Sequence, residues 1–260
     1  MTFLLTVWTL WQREVTRFFR QRSRWLGALA TPVGIWFLIG SGFGRSFRLP
    51  GATEELTYLE YFYPGMLLLV VLFTAIFSGL SLIEDRREGF LQAVIVAPVD
   101  RRAIVLGKTL GAAGLALAQS LLLMLIAPIL GLRLGVTEWL GATCLLALVS
   151  LALSGLGFFT AWLTGTVEGF HSVMNLVLFP LWLLSGSVFP AAGAFTWIRW
   201  LMWVNPLTYA HQALGYCLYG GSGEPGAFLS GVVITGAFAG FCLLGGAWLV
   251  THRRSAAVVG

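Results

Sequence analysis

The sequence contains few charged residues and little of the chemistry that marks enzymes. Charged residues make up 10% of the 260 positions, against about 25% in ordinary globular domains. A soluble fold could not cover its surface with so few charges. Hydrophobic residues make up 58%, which excludes a disordered chain as well. The class that remains is a polytopic membrane protein, all-α because helices satisfy their own backbone in lipid.

Motifs for catalysis, metal binding and ATP binding are also missing. The three cysteines stand alone, and neither G-x-S-x-G nor H-E-x-x-H occurs. Gly107-Lys108-Thr109 resembles the end of a Walker A loop, but Arg102 occupies the position of its first glycine. We therefore expect no catalytic residue, no metal, no cofactor and no ATP site in this chain.

Two weaker readings of the polar residues stay open. Ser185 or Ser187 with His211 would suit a membrane-embedded enzyme, although a serine between small residues more often packs helices. Glu168, three residues before His171, is the only acid near a span that could suggest an ion-coupled carrier or channel. No predicted span has a carboxylate at its centre, which argues against ion coupling.

Long uncharged runs are abundant. About 20 apolar residues cross the hydrocarbon core as a helix. Six runs qualify, and they predict a transmembrane domain over 25–252 with spans at about 25–44, 61–83, 109–132, 139–165, 170–190 and 227–251. A seventh run, 200–223, contains Asn205-Pro206 and a glycine cluster, which are costly against lipid. It is assigned instead to an external re-entrant region, 191–224, with short helices and several tryptophans.

The basic residues are distributed unequally over the two sides of this six-span topology. Twelve fall on the side of the termini and four on the other, so the positive-inside rule puts both termini in the cytoplasm. The twelve are Arg13, Arg17, Arg20, Arg22, Arg24, Arg86, Arg87, Arg101, Arg102, Lys108, Arg253 and Arg254; the four are Arg45, Arg48, Arg133 and Arg199. The net charge of +5 thus indicates topology and contact with anionic lipid, and no nucleic-acid motif accompanies it.

Two segments on the predicted cytoplasmic side are patterned. Over residues 1–24, arginines recur at helical spacing opposite an apolar face, which predicts an amphipathic helix in the membrane interface. The stretch 84–108 is far longer than a simple connector and has charges at both ends of a short apolar run. It predicts a surface helix that contacts a cytoplasmic partner.

Three motifs in order resemble one family. The arginine-bearing N-terminal helix comes first, and Glu84-Asp85-Arg86-Arg87-Glu88-Gly89 with Ala97-Pro98-Val99-Asp100-Arg101 and Gly107-Lys108 comes second. The third is Leu184-Ser185-Gly186-Ser187-Val188-Phe189-Pro190 with Asn205-Pro206-Leu207-Thr208-Tyr209. Together they resemble the permease subunit of ABC-2-type exporters. Phe90, Gln92, Gln212 and Gly215 depart from the residues common in that family.

The resemblance implies a permease in the cytoplasmic (inner) membrane that acts with a second copy, as a homodimer, and with two cytoplasmic ABC ATPase subunits that bind ATP and Mg²⁺. The cargo would be amphipathic: a drug, a lipid or a lipid-linked glycan. Residues implied in coupling to the ATPase are Arg13, Arg17, Glu84, Asp85, Arg86, Arg87, Glu88, Gly89, Pro98 and Arg101. Residues implied along the cargo path or outer gate are Trp36, Phe37, Phe73, Phe77, Trp182, Phe189, Asn205 and Pro206.

Overall fold

A computed structural model describes residues 2–43, 57–221 and 226–252 of the chain. Most of the predicted first external loop, with Arg45 and Arg48, the last residues of the predicted re-entrant region, and Arg253-Arg254 lie outside the described residues. Within the described ranges every regular element is helical, as expected for an all-α membrane protein.

Six helices in the described ranges are long and apolar enough to cross a membrane, which is the predicted number. They are α2 (Arg22–Phe43), α3 (Tyr58–Arg87), α5 (Arg101–Met124, extended by a 3₁₀ turn over Ala127–Leu130), α6 (Val136–Thr164), the composite helix Val167–Ser187, and α11 (Ala227–His252). The composite helix contains α7 (Val167–Val173), a π turn over Met174–Leu178, α8 (Phe179–Trp182) and a second π turn over Leu183–Ser187.

Helix α3 is the core of the bundle. It is apolar on all sides, and α2, α5 and α6 pack around it, so its middle section from Phe62 to Leu72 is fully buried. A capping box fixes its start, because Thr57 and Glu60 exchange hydrogen bonds between side chain and backbone. By contrast, α11 packs on α6 and on the helix over Pro206–Leu218, and it leaves Val233, Phe241 and Trp248 exposed on its outward side.

Shorter helices lie at the two ends of the bundle. Helix α1 (Thr2–Arg20) and helix α4 (Phe90–Val96) lie at one end, which we name the charged end after Arg13, Glu84 and Lys108. Helices α9 (Thr196–Val204) and α10 (Pro206–Leu218) lie at the other, which we name the tryptophan end after Trp197, Trp200 and Trp203 of α9. The long helices α3 and α5 extend past the predicted span limits at the charged end and carry charged residues there.

Candidate functional site

Ion pairs fasten α1 to α3 at the charged end. Both terminal nitrogens of Arg13 bind the Asp85 carboxylate, at 2.9 and 2.8 Å. Arg17 pairs with the same carboxylate and, at 2.9 Å, with Glu84. Arg24, at the start of α2, pairs with Glu84 as well. Two-pronged contacts of this kind fix orientation as well as charge, so α1 sits in one defined position on the bundle.

A buried lysine adds α5 to this arrangement. Lys108 Nζ lies 2.9 Å from a Glu14 carboxylate oxygen and 2.5 Å from an Asp85 carboxylate oxygen. The Lys108, Glu14 and Asp85 side chains are 3%, 5% and 0% exposed. Ser78 donates a further hydrogen bond to Glu14 at 3.1 Å. We call Arg13, Glu14, Arg17, Asp85 and Lys108 the charge clamp.

Two glycines on α5 explain why α1 can come so close. A Cβ at Gly107 would lie 3.0 Å from the Val7 carbonyl oxygen, and one at Gly111 would lie 2.8 Å from Glu14 Cβ. Gly107-Lys108 therefore has a local structural reason that is unrelated to phosphate binding. Lys108 and Glu14 were not among the predicted site residues. The available signal was a lone lysine between glycines spaced by four, which is the pattern of a close helix contact.

The residues predicted to couple to an ATPase divide into two groups. Arg13, Arg17, Glu84 and Asp85 are used mainly on one another, inside the protein. The other members face outward or cover neighbouring helices. They are Arg86, whose guanidinium lies 4.9 Å from the ring centre of Trp162; Arg87, 3.7 Å from Glu168; Arg101, 3.5 Å from the Val250 carbonyl oxygen; Glu88, which is exposed and lies 3.5 Å from Arg17; and the exposed Gly89 and Pro98.

The exposed group surrounds α4. Gly89 has φ +79°, which favours glycine and turns the chain from α3 into α4. Gln92 donates to the Arg86 carbonyl oxygen at 2.8 Å, and the Arg13 guanidinium lies 3.5 Å from the Phe90 ring centre. The departures Phe90 and Gln92 thus brace α4 against the rest of the charged end. Val96, at the end of α4, is 85% exposed.

The predicted cargo-path aromatics do not form one continuous surface. Trp36 and Trp182 are buried, and each donates its indole N–H to an α3 carbonyl oxygen at 2.9 Å, of Leu59 and Gly65 respectively. They position α2 and α8 on α3. Phe37 is exposed, while Phe189 is half-buried.

Phe73 and Phe77 are the members of the set with an accessible side on α3. Both rings are half-buried, with centroids 6.4 Å apart. Phe73 meets Phe179 of α8 at 6.5 Å, and Phe77 lies beside Gly27 of α2. The two rings therefore lie on α3 between its neighbours α2 and α8.

The composite helix Val167–Ser187 breaks at the tryptophan end, and the exposed carbonyl groups find partners. Gly186 has φ +89°, outside the helical range. Tyr61 donates to the Gly186 carbonyl oxygen at 2.6 Å, and Tyr58 donates to that of Val188 at 2.7 Å. Because unpaired backbone groups are costly away from water, these hydroxyls allow the helix to end inside the protein.

Asn205 and Thr208 hold the same break from the side of α10. Asn205 accepts from the Leu207 N–H at 2.9 Å, which caps α10, and donates to the Leu181 carbonyl oxygen at 2.6 Å. Pro206 occupies the first turn of α10, where its missing N–H is harmless. Thr208 donates to the Leu184 carbonyl oxygen at 3.3 Å. Tyr58, Tyr61, Asn205 and Thr208, with the backbone they hold, form what we call the outer hub.

The serine and histidine of the enzyme alternative lie near the outer hub without forming a catalytic pair. Ser185 Oγ donates to the Trp182 carbonyl oxygen at 2.6 Å and lies 2.6 Å from Ser187 Oγ. In the described part of the chain, His211 Nε2 has no hydrogen-bond partner. Burial lowers the pKa of His211 to about 4, so the imidazole is neutral near pH 7. A nucleophile needs a hydrogen-bonded base, which neither serine has here.

Six long apolar helices packed in one bundle are the architecture of a multi-pass membrane protein. The sequence profile of the ABC-2 type transporter family matches residues 6–219. The chain therefore belongs to the ABC-2 type transporter family, and it is a multi-pass transport permease.

Relatives of this chain carry transport-permease and nodulation names. The putative transport permease ycf38 of Cyanophora paradoxa is 26% identical over 82% of this chain and 74% of its own length. Nodulation protein J of Rhizobium leguminosarum bv. viciae is 28% identical over 64% of this chain and 63% of its own length. The probable multidrug ABC transporter permease YbhR of Escherichia coli (strain K12) is 24% identical over 60% of this chain and 42% of its own length.

Proposed function

We propose that this chain is the membrane subunit of an ATP-driven exporter in the cytoplasmic membrane, with the charged end and both termini in the cytoplasm. It works as a homodimer with two separate ABC ATPase subunits, which bind ATP and Mg²⁺. The observation that carries the proposal is the charge clamp, which joins α1, α3 and α5 directly beside the exposed helix α4. A partner that moves α4 or α1 would thereby move two spans together.

The coupling residues have different parts in this proposal. Arg87, Glu88, Gly89 and Pro98 form the contact with the ATPase, because they are exposed around α4. The residues of the charge clamp do not touch the ATPase. They transmit the movement of α1 and α4 to α3 and α5. ATP favours one arrangement of the ATPase pair. The ATPase then biases the permease towards one of two states, because the contacts between ATPase and permease differ between those states.

The cargo route lies along α2, α3 and the composite helix, between two copies of the chain. Phe73 and Phe77 line it, and Phe37 and Phe189 lie nearer its edges. Trp36 and Trp182 support the route from behind, since both are buried against α3. Asn205 and Pro206 belong to the outer gate. An apolar route with aromatic rings suits an amphipathic cargo such as a drug, a lipid or a lipid-linked glycan.

The test is purification of the tagged chain from its native host in mild detergent, followed by reconstitution. A stoichiometric ATPase subunit should copurify, and the vesicles should move a fluorescent cationic dye or a fluorescent phospholipid on addition of ATP. Glu88→Ala and Arg87→Ala should keep ATP hydrolysis but lose most of its stimulation by cargo. Arg133→Ala, an exposed arginine at the opposite end, is the matched control and should behave as wild type.

Three results would contradict the proposal. They are a chain purified without an ATPase, flux driven by an ion gradient in the absence of ATP, and cargo-stimulated hydrolysis that is normal in both α4-side variants. The second would indicate an ion-coupled carrier or channel. Activity that needs Ser185 or His211 but no ATP would indicate a membrane-embedded enzyme.

A further inference from the structure

An apolar groove runs between α1, α5 and α6, on a different face of α5 from the Lys108 contacts. Its volume is about 710 Å³, and its ten lining residues include no charged or hydroxyl side chain. Leu4, Trp8 and Trp11 form the α1 wall, Leu110 and Gly114 belong to the α5 wall, and Ala147 belongs to the α6 wall. The proposed transport function does not use this groove.

The rim of the groove is aromatic, and Trp11 lies close to Gly114 of α5 at its floor. Trp8 stacks on Trp11 with ring centroids 4.9 Å apart, and Trp8 is more than half exposed. A Cβ at Gly114 would lie 3.6 Å from the Trp11 ring nitrogen, an ordinary contact. Tryptophan prefers the boundary between hydrocarbon and headgroups, so the rim has the composition of a membrane interface.

The depth of the groove matches the hydrocarbon next to that boundary. Its α5 residues, from Leu110 to Leu117, follow Lys108 by two to nine positions. At 1.5 Å per residue they lie about 3 to 14 Å further into the bundle than the buried charges. A wall with no charged or hydroxyl side chain at that depth favours a hydrocarbon chain over water or a polar ligand.

The size and lining of the groove favour a lipid over a second copy of the protein as its occupant. A stable interface between two protein copies buries on the order of 1,000 Å² or more, which a groove with ten lining residues cannot offer by itself. Arg20, at the other end of α1, lines a separate polar groove, so the apolar groove presents hydrocarbon and tryptophan rings alone to a ligand.

We propose that this groove is a binding site for one acyl chain of a phospholipid from the leaflet at the charged end. The chain fills the space between the first half of α1 and α6, while the charge clamp holds the second half of α1. Bound lipid and the ion pairs then both stabilise the position of α1 on the bundle. This inference does not depend on which cargo the permease moves or on the ATPase partner.

The experiment uses the full chain in phosphatidylcholine and phosphatidylglycerol nanodiscs that contain a phospholipid with a diazirine in its acyl chain. After photolysis, labelled peptides are mapped as the probe fraction is raised. Labelling of the α5 and α6 groove peptides should saturate at a low probe fraction. Labelling of the outward side of α11, near Phe241, should rise in proportion to the probe, as expected for bulk lipid.

Two filling variants and one control complete the test. Ala147→Trp should reduce groove labelling several-fold, and Gly114→Leu, which adds a side chain where only an ordinary contact exists, should do the same if Ala147→Trp folds poorly. Ala237→Trp on the exposed side of α11 is the matched control and should leave groove labelling unchanged. Groove labelling that never saturates, that survives both filling variants, or that is absent while α11 is labelled would overturn the proposal.

Discussion

The two ends of the bundle satisfy their buried polar groups with different chemistry. At the charged end, full charges on α1, α3 and α5 neutralise one another within 3 Å. At the tryptophan end, neutral hydroxyl and amide groups of the outer hub bind the carbonyl oxygens that a broken helix exposes. Charges in pairs tolerate burial only when each has its partner, whereas a neutral donor supports a carbonyl group with a smaller cost of desolvation.

The charged end should therefore be intolerant of single changes, and the tryptophan end more tolerant. Removing one member of a buried ion cluster leaves the others charged and unpaired. Removing one hydroxyl or amide leaves a single neutral carbonyl oxygen unsatisfied. The following variants test that ordering through the free energy or midpoint of unfolding in detergent.

The largest effect is expected for Lys108→Met. It leaves the Glu14 and Asp85 carboxylates buried without their shared cation, which should cost about 3 to 5 kcal/mol. Thermal unfolding and the yield of monodisperse protein measure the loss. Arg102→Ala, an exposed cation at the same end, serves as the control and should change the midpoint little. The double variant Glu14→Leu with Lys108→Met should recover part of the lost stability. Equal losses of stability in the single and double variants would contradict the pairing of Lys108 with Glu14.

The next effect is expected for Gly65→Ala on α3. A Cβ at this position would lie 2.5 Å from Ser187 Cβ, so the broken part of the composite helix must shift at a cost of about 1 to 3 kcal/mol. Gly236→Ala on α11 has nothing within 4 Å of the added atom and is the matched control. Equal melting temperatures for the two variants would show that the contact at Gly65 is looser than described.

A smaller effect is expected for Asn205→Ala. The variant loses the cap of α10 and the donor to the Leu181 carbonyl oxygen, which should cost about 0.5 to 2 kcal/mol. Asn205→Ser keeps a capping oxygen but has a shorter reach, so it should fall between wild type and the alanine variant. Protease cleavage near α9 and α10 should increase, while association with the proposed ATPase stays normal. Loss of that association instead would contradict the assignment of the two ends.

The smallest effect on stability is expected for Arg87→Ala. Its partner Glu168 is 3.7 Å away and both side chains are exposed, so the pair should contribute less than about 1 kcal/mol. Arg17→Ala, whose partner Asp85 is fully buried, should lower the midpoint far more. If the two variants destabilise the protein equally, burial is not what separates the exposed coupling face from the charge clamp.

The number of long helices and the helical character of the chain could be predicted from the sequence, because each follows from run length alone. The pairing at the charged end could not. The family resemblance implies Asp85 in coupling to the ATPase, and the structure has this side chain fully buried under α1. Its cations, Arg13 and Lys108, are 72 positions before it and 23 positions after it in the sequence, and only the packing of three helices brings them together. Periodicity within one helix contains no record of such contacts.

The break in the composite helix shows the same limit at the other end. Pro190 predicts a helix end, but the two π turns and the positive φ of Gly186 come three or more residues earlier. The carbonyl oxygens of Gly186 and Leu184, in the second π turn, accept from Tyr61 of α3 and Thr208 of α10, which are distant in sequence. The spacing of Gly107 and Gly111 in the sequence indicates a close helix contact. The sequence of α5 does not indicate that the contacting helix is α1.

The charge clamp also constrains the order in which the chain is assembled. Arg13, Arg17 and Arg24 are synthesised before any of their partners on α3, and Lys108 follows later still. Until α3 and α5 have entered the bilayer, these arginines lack those partners, and in the proposed topology they would retain the N-terminal segment on the cytoplasmic side. The same residues can therefore act first as a topological signal during biogenesis and then, once paired, as internal framework.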